Sequence, residues 1–134
     1  MRRKLSVLRA CRRVLTAGGR IAFVTIQPRP GLAPADRRRA NESGPPAVAV
    51  PTSYESLLRS AGFSEIVAVD LTAEYRATQR RWIDAMSRYE QPLRRSMGDT
   101  MYDERAEKRA STLAAIDAGL LTRYRYTARR GDRR

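Results

Sequence analysis

Histidine is absent from the 134 residues, and Cys11 is the single cysteine. Without an imidazole there is no histidine-based acid–base catalysis, and without a Cys/His set there is no ordinary zinc site. One thiol cannot form an intrachain disulfide, which fits a reducing cytoplasm. Cys11 itself reads as a small hydrophobe. Long apolar runs are missing as well, since nothing approaches the ~18–20 residues of a membrane span. Lysine is scarce: only Lys4 and Lys108 occur, so 25 of the 27 basic side chains are arginine. A GC-rich coding sequence produces the same bias, so the net charge of +13 does not by itself point to nucleic acid. Acids are scarcest in the first 50 residues, where Asp36 and Glu42 face eleven basic side chains, a net of +9 against +4 for the remainder. A polyanion or an acidic partner would feel that first third most strongly.

What is present is globular: 42% hydrophobic and 31% charged residues exclude wholesale disorder. The length suits one domain. The start, Met1-Arg2-Arg3-Lys4, shares its arginine-rich, acid-poor character with organellar presequences but runs directly into a turn and a strand. Leu5, Leu8, Cys11 and Leu15 recur at helical spacing and predict an amphipathic helix of about three turns. Gly18-Gly19 ends it, and the apolar, β-branched run Arg20–Ile26 predicts a strand buried on both faces. Residues 27–51, rich in proline, read as a long loop with room for one helical turn around Pro34 to Ala40. Thr52 and Glu55 stand in capping-box spacing before a helix whose apolar face is Tyr54, Leu57, Leu58 and Ala61. Ile66 to Leu71 is a second strand. One long helix is predicted from Thr72 to about Met97. A further helix, capped by Thr100 and Asp103, turns Tyr102, Ala106, Leu113, Ala114 and Ile116 inward. The final strand alternates Tyr124, Tyr126 and Ala128 against Arg123, Arg125 and Arg129, starts at Thr122, and leaves Arg130–Arg134 as a frayed tail. This order of elements is an α/β pattern.

Arg13-Val14-Leu15-Thr16-Ala17-Gly18-Gly19-Arg20-Ile21-Ala22-Phe23 resembles the helix–Gly-Gly–strand junction before strand five of class I S-adenosylmethionine-dependent methyltransferases. Tyr54 to Phe63, ending in Ala-Gly-Phe, resembles the next helix of that fold, Ile66 to Leu71 its strand six, and Leu120 to Arg130 its antiparallel strand seven. Ala17 stands where the family usually has proline. The resemblance covers nearly the whole chain, as the C-terminal part of a single methyltransferase-like domain. It implies a partial Rossmann-like fold: a three-stranded mixed sheet in the order five, seven, six, with flanking helices and a helical insertion at 73–118. It also implies that the family's Gly-rich cofactor turn and ribose-binding acid fall before Met1, because Gly18-Gly19 precedes a strand instead of following one. S-adenosylmethionine serves the intact family, and none is expected to bind this chain alone.

Methyl transfer demands alignment more than acid–base groups, so the lack of histidine is no obstacle. Tyr75, Trp82, Met86 and Tyr89 recur along one helix and are the candidate substrate-binding wall; packing against neighbouring helices would produce the same stripe. Asp70 suits a helix cap, and Arg37-Arg38-Arg39 suits either an anionic acceptor or solvent. No catalytic residue, cofactor ligand or metal ligand is assigned. The function this implies is the C-terminal portion of a methyltransferase, inactive alone, with self-association or a complementary N-terminal half as partner and no membrane. The alternative is a basic nucleic-acid-binding or protein-interaction module. Nucleic acid is expected to bind only by nonspecific electrostatics.

Overall fold

The first helix, α1 (Arg2–Val14), turns Leu5 and Leu8 toward the protein and places Arg12 and Arg13 in its last turn, where cations oppose the helix dipole. A computed structural model describes residues 2–44 and 53–131. After α1 the chain turns at Gly18, whose φ of 75° favours glycine, into strand β1 (Arg20–Pro28). Helix α2 (Pro34–Ser43) follows, then α3 (Tyr54–Ser60), strand β2 (Phe63–Asp70), helices α4 (Thr72–Arg88), α5 (Glu90–Met97) and α6 (Asp99–Asp117), and strand β3 (Leu121–Arg130).

The sheet order is β1-β3-β2. Arg20 pairs with Arg129 and Pro28 with Leu121, and Phe63 pairs with Arg130. Both ladders are antiparallel, so β1 and β2 run parallel to one another with β3 reversed between them. The last strand in sequence is thus the central one, as the family resemblance implied. Between Ser64 and Val67 the β2 register shifts, and Glu65 takes a φ of 49° at this bulge.

Alternation along β3 divides the core in two. Tyr126 and Ala128 face α1 and α3 and pack with Leu8, Leu57, Leu58, Ala61 and Phe63. Leu121 faces the other way, with Tyr75 of α4, Ala115 and Ile116 of α6, and Ala40 of α2. The strand therefore begins at Leu121 and not Thr122: Leu121 breaks the sequence alternation only because it belongs to the opposite core. Arg130, expected in the tail, is the last paired residue, and residues 132–134 lie outside the described part.

Several expectations are corrected. The loop at 27–51 holds a full helix, α2, opened by Pro34, with its C-terminal carbonyls at Ser43 and Gly44 bonded by Lys108 Nζ at 3.2 and 3.0 Å. Thr52 lies outside the described residues, and Ser53 caps α3, its hydroxyl accepting from Ser56 N at 3.1 Å. The long helix is two helices that meet at Tyr89, because Pro92 has no N–H to give the Arg88 carbonyl. Helix α6 begins at Asp99 after Gly98 with no side-chain cap, so Thr100 does not cap it. Thr112 and Ala115 take the buried places expected of Leu113 and Ala114. Arg94 joins α5 to α6 by pairing with Glu90, Asp99 and Asp103 while lying over the Tyr102 ring at 4.3 Å. Strand β1 is not buried on both faces. Ala22 and Val24 are exposed, because the α4–α6 layer reaches only its Ile26 end.

Candidate functional site

Along the α1–α3 face of β1 the side chains run Ile21, Phe23, Thr25, Gln27, from apolar to polar; along β3 they run Ala128, Tyr126, Tyr124. Greasy packing at one end of the two strands therefore gives way to hydroxyls and an amide at the other. A half-open cavity of about 340 Å³ sits there. Its floor is Gln27, Tyr124 and Tyr126. Arg29 to Gly31 and Arg37 of α2 form one wall, and Ser53, Tyr54 and Glu55 at the start of α3 form the other.

The floor is rigid. Gln27 Nε2 donates to the Tyr126 hydroxyl at 3.1 Å, and that hydroxyl lies 3.2 Å from Gln27 Oε1, which also accepts from Thr25 Oγ1 at 3.2 Å. Tyr126 stacks on Phe23 (5.5 Å between centroids), Tyr54 (5.4 Å) and Tyr124 (6.0 Å). Burial pushes the Tyr126 phenol up to about 12. Burial also raises the Tyr124 phenol, which lies beside the Asp70 carboxylate. Asp70 is itself held low, chiefly by hydrogen bonding to Thr72, whose amide it accepts at 2.9 Å. The N-cap of α4 is Leu71, which makes no side-chain cap bond, so Asp70 serves the first amide of the helix from one residue further out than the cap expected of it.

The expected wall residues lie elsewhere. Tyr75 is buried in the second core beneath Arg123, and Met86 is buried with its carbonyl accepting from the Tyr102 hydroxyl at 2.8 Å. Trp82 and Tyr89 are 51% and 54% exposed, with Arg109 over the Trp82 ring at 4.5 Å. None of the four borders the cavity. Of the arginine triplet, Arg37 lines it, while Arg39 pairs with Asp36 at 3.3 Å on the exposed side of α2. The tyrosines of β3 were visible in sequence only as the inner side of a strand. Gln27 and Arg29 gave no signal, being polar residues at the edge of a proline-rich stretch.

The amides of the Gly18-Gly19 turn are spent internally, Gly18 N on Arg130 O at 3.3 Å and Gly19 N on Thr16 O at 2.9 Å. Arg129 Nε bonds the Gly18 carbonyl, and Arg130 Nη1 bonds the Leu15 carbonyl. The turn is thus tied to the end of β3 and presents no amides to a ligand. No group of three or more metal-binding side chains occurs among the described residues, and no helix there is long and apolar enough to cross a membrane.

No protein-family model and no curated protein matches the sequence. Solved structures do match the fold. A phosphoethanolamine N-methyltransferase of Haemonchus contortus, held with phosphomonomethylethanolamine and S-adenosylhomocysteine, superposes at a TM-score of 0.79 and 13% identity, over 96% of this chain and 30% of its own. A Galdieria sulphuraria protein assigned as a sarcosine dimethylglycine methyltransferase gives 0.80 and 15%, over 98% and 48%. A cyclopropane synthase of Mycobacterium tuberculosis gives 0.77 and 13%, over 95% and 50%. The fold is that of one part of these Rossmann-like methyltransferase structures. The chain spans between 30% and 50% of the length of these three structures.

Proposed function

We propose that this chain is the acceptor-side portion of an S-adenosylmethionine-dependent methyltransferase, and that by itself it neither binds the cofactor nor transfers a methyl group. The observation that carries the reading is the cavity, at the C-terminal end of β1 in a chain whose whole extent matches one part of methyltransferase structures. In open α/β sheets ligands bind outside the carboxyl ends of the strands. A pocket that positions an acceptor supplies what methyl transfer needs most, alignment of the nucleophile. Trp82 and Tyr89 remain accessible to an acceptor approaching α4, whereas Tyr75 and Met86 serve packing. The single free thiol, Cys11, suits a reducing cytoplasm.

The partner this reading requires is a cofactor-binding portion that docks along β1. Among the described residues nothing pairs with the outer edge of β1, and the adjoining face carries Ala22, Val24 and Val67 in the open. Without that partner the edge favours self-association.

Calorimetric titration of residues 1–134 with S-adenosylmethionine tests the proposal. No saturable heat is expected from the chain alone. Micromolar binding without a partner would place the cofactor on residues assigned here to other work, and the reading would fail.

A further inference from the structure

We infer that the cavity takes a small zwitterion, a molecule with an ammonium or alkylammonium at one end and a carboxylate or phosphate at the other. The inference rests on reading the cavity as the acceptor site and adds the chemical class of the acceptor.

Three charged side chains line the cavity: Arg29 and Arg37 on one wall and Glu55 on the other. None of them forms an ion pair among the described residues, although Asp36, Arg39, Arg76, Asp117, Arg94 and Arg129 all do elsewhere. Between the walls Tyr124 feels both signs, Asp70 and Glu55 as negative neighbours and Arg29 as a positive one. Among the described residues the cavity thus presents two cations and one anion that form no ion pair, with the Asp70 carboxylate in electrostatic reach of Arg29.

Each simpler ligand leaves one wall unanswered. A plain anion satisfies the guanidiniums but is brought against Glu55. A plain amine satisfies Glu55 but is brought against Arg29 and Arg37. An uncharged apolar chain would strip water from all three charges and return nothing. A zwitterion answers both walls at once, with its anion on the arginines, where planar guanidinium donors suit carboxylate and phosphate oxygens. Its ammonium lies by Glu55 and the electron-rich tyrosine rings. A volume of about 340 Å³ leaves ample room for such a molecule and its water.

The test is an amide and side-chain NMR titration of residues 1–134. The zwitterionic probes are N-methylglycine and phosphoethanolamine; acetate, inorganic phosphate and ethylamine are the singly functional controls. At least one zwitterion is expected to shift the Gln27 side-chain amide saturably, with a Kd about tenfold or more below those of all three controls. The two zwitterions separate a carboxylate from a phosphate preference. Glu55→Gln should weaken the zwitterion several-fold and, by removing the carboxylate a plain anion is brought against, tighten acetate and phosphate. Arg37→Gln should weaken zwitterion and anions alike. Both positions are at the surface of the cavity, and an unchanged spectrum away from it verifies the fold of each variant. Anions binding as tightly as zwitterions, or no saturable shift with either zwitterion, would overturn the inference. Zwitterion binding without methylation by a reconstituted enzyme would instead sink the acceptor reading and leave the pocket chemistry standing.

Discussion

Gln27 and Tyr126, 99 residues apart in sequence, exchange hydrogen bonds beneath the cavity, the amide donating at 3.1 Å and the hydroxyl lying 3.2 Å from the carbonyl oxygen. The two strands that carry them are joined in one ladder, yet Gln27 pairs with Thr122 and Tyr126 with Phe23, so the contact is diagonal and depends on both side chains reaching along the face. Gln27 has no solvent to fall back on, at 7% exposure.

Tyr126→Phe should therefore cost about 1 kcal/mol at neutral pH, read by urea denaturation, because it orphans a buried amide donor. The same variant should change the alkaline limb of stability. The folded phenol titrates near 12 against an ordinary 10.0, so the folded state holds its proton longer than the unfolded chain. Its contribution is whole below pH 10 and is lost as pH rises from 10 toward 12. Tm measured across that interval should fall in the wild type and fall less in Tyr126→Phe. Tyr54, Tyr75 and Tyr124 shift in the same direction and should retain part of the slope.

At the acid end the residue to test is Asp70, whose carboxylate accepts the Thr72 amide at 2.9 Å. Its carboxyl is depressed below the ordinary 3.8, so its stabilisation is present above that value and is lost as pH falls through the depressed one. Asp70→Ala should cost about 0.5–1 kcal/mol at neutral pH, the value of one exposed hydrogen bond to the first amide of α4. Below the folded-state pKa the difference between variant and wild type should vanish. A difference that persists undiminished in acid would show that the carboxylate charge is irrelevant to that bond.

Val24 faces solvent at 46% exposure on the edge strand of the sheet. Val24→Lys places a charge on that open face, a common natural guard against edge pairing. Sedimentation velocity should show concentration-dependent association of the wild type that the variant reduces, with folding stability changed by no more than about 0.5 kcal/mol. Association that the lysine leaves unaltered would locate the contact elsewhere.

The excess positive charge gives a further expectation. Duplex DNA should bind weakly, without sequence preference, and with an affinity that falls steeply with salt, as counterion release requires. Fluorescence anisotropy with two unrelated duplexes across a salt series checks this. Sequence-dependent binding that survives physiological salt would favour the nucleic-acid reading over methyl transfer.

Much of the architecture was legible because periodicity and turn chemistry are local. Leu5, Leu8 and Cys11 marked α1, Gly18-Gly19 the turn after it, the β-branched run from Arg20 the first strand, and the alternation of Tyr124, Tyr126 and Ala128 the last. The resemblance added what locality cannot supply, the placement of that last strand in the centre. The break at Tyr89 was also present in the sequence, as Pro92, but the regular spacing of Tyr75, Trp82 and Tyr89 concealed it. The helix in the proline-rich stretch was partly concealed too, because α2 buries only Ala40 and so shows almost no apolar face.

The sequence by itself determined the three strands, most of the helices, the order in which they follow, and the charge of the first third, since each depends on residues within a few positions of one another. Only the tertiary structure decided which aromatic residues share a site. Trp82 and Tyr89 fall outward because a helix in contact with its neighbours on one side must leave the other to solvent. Gln27, Glu55 and Tyr126 converge because an antiparallel ladder carries the end of the first strand to the last one, and α3 folds back over both. A cavity is a relation among segments distant along the chain, and no local pattern encodes it.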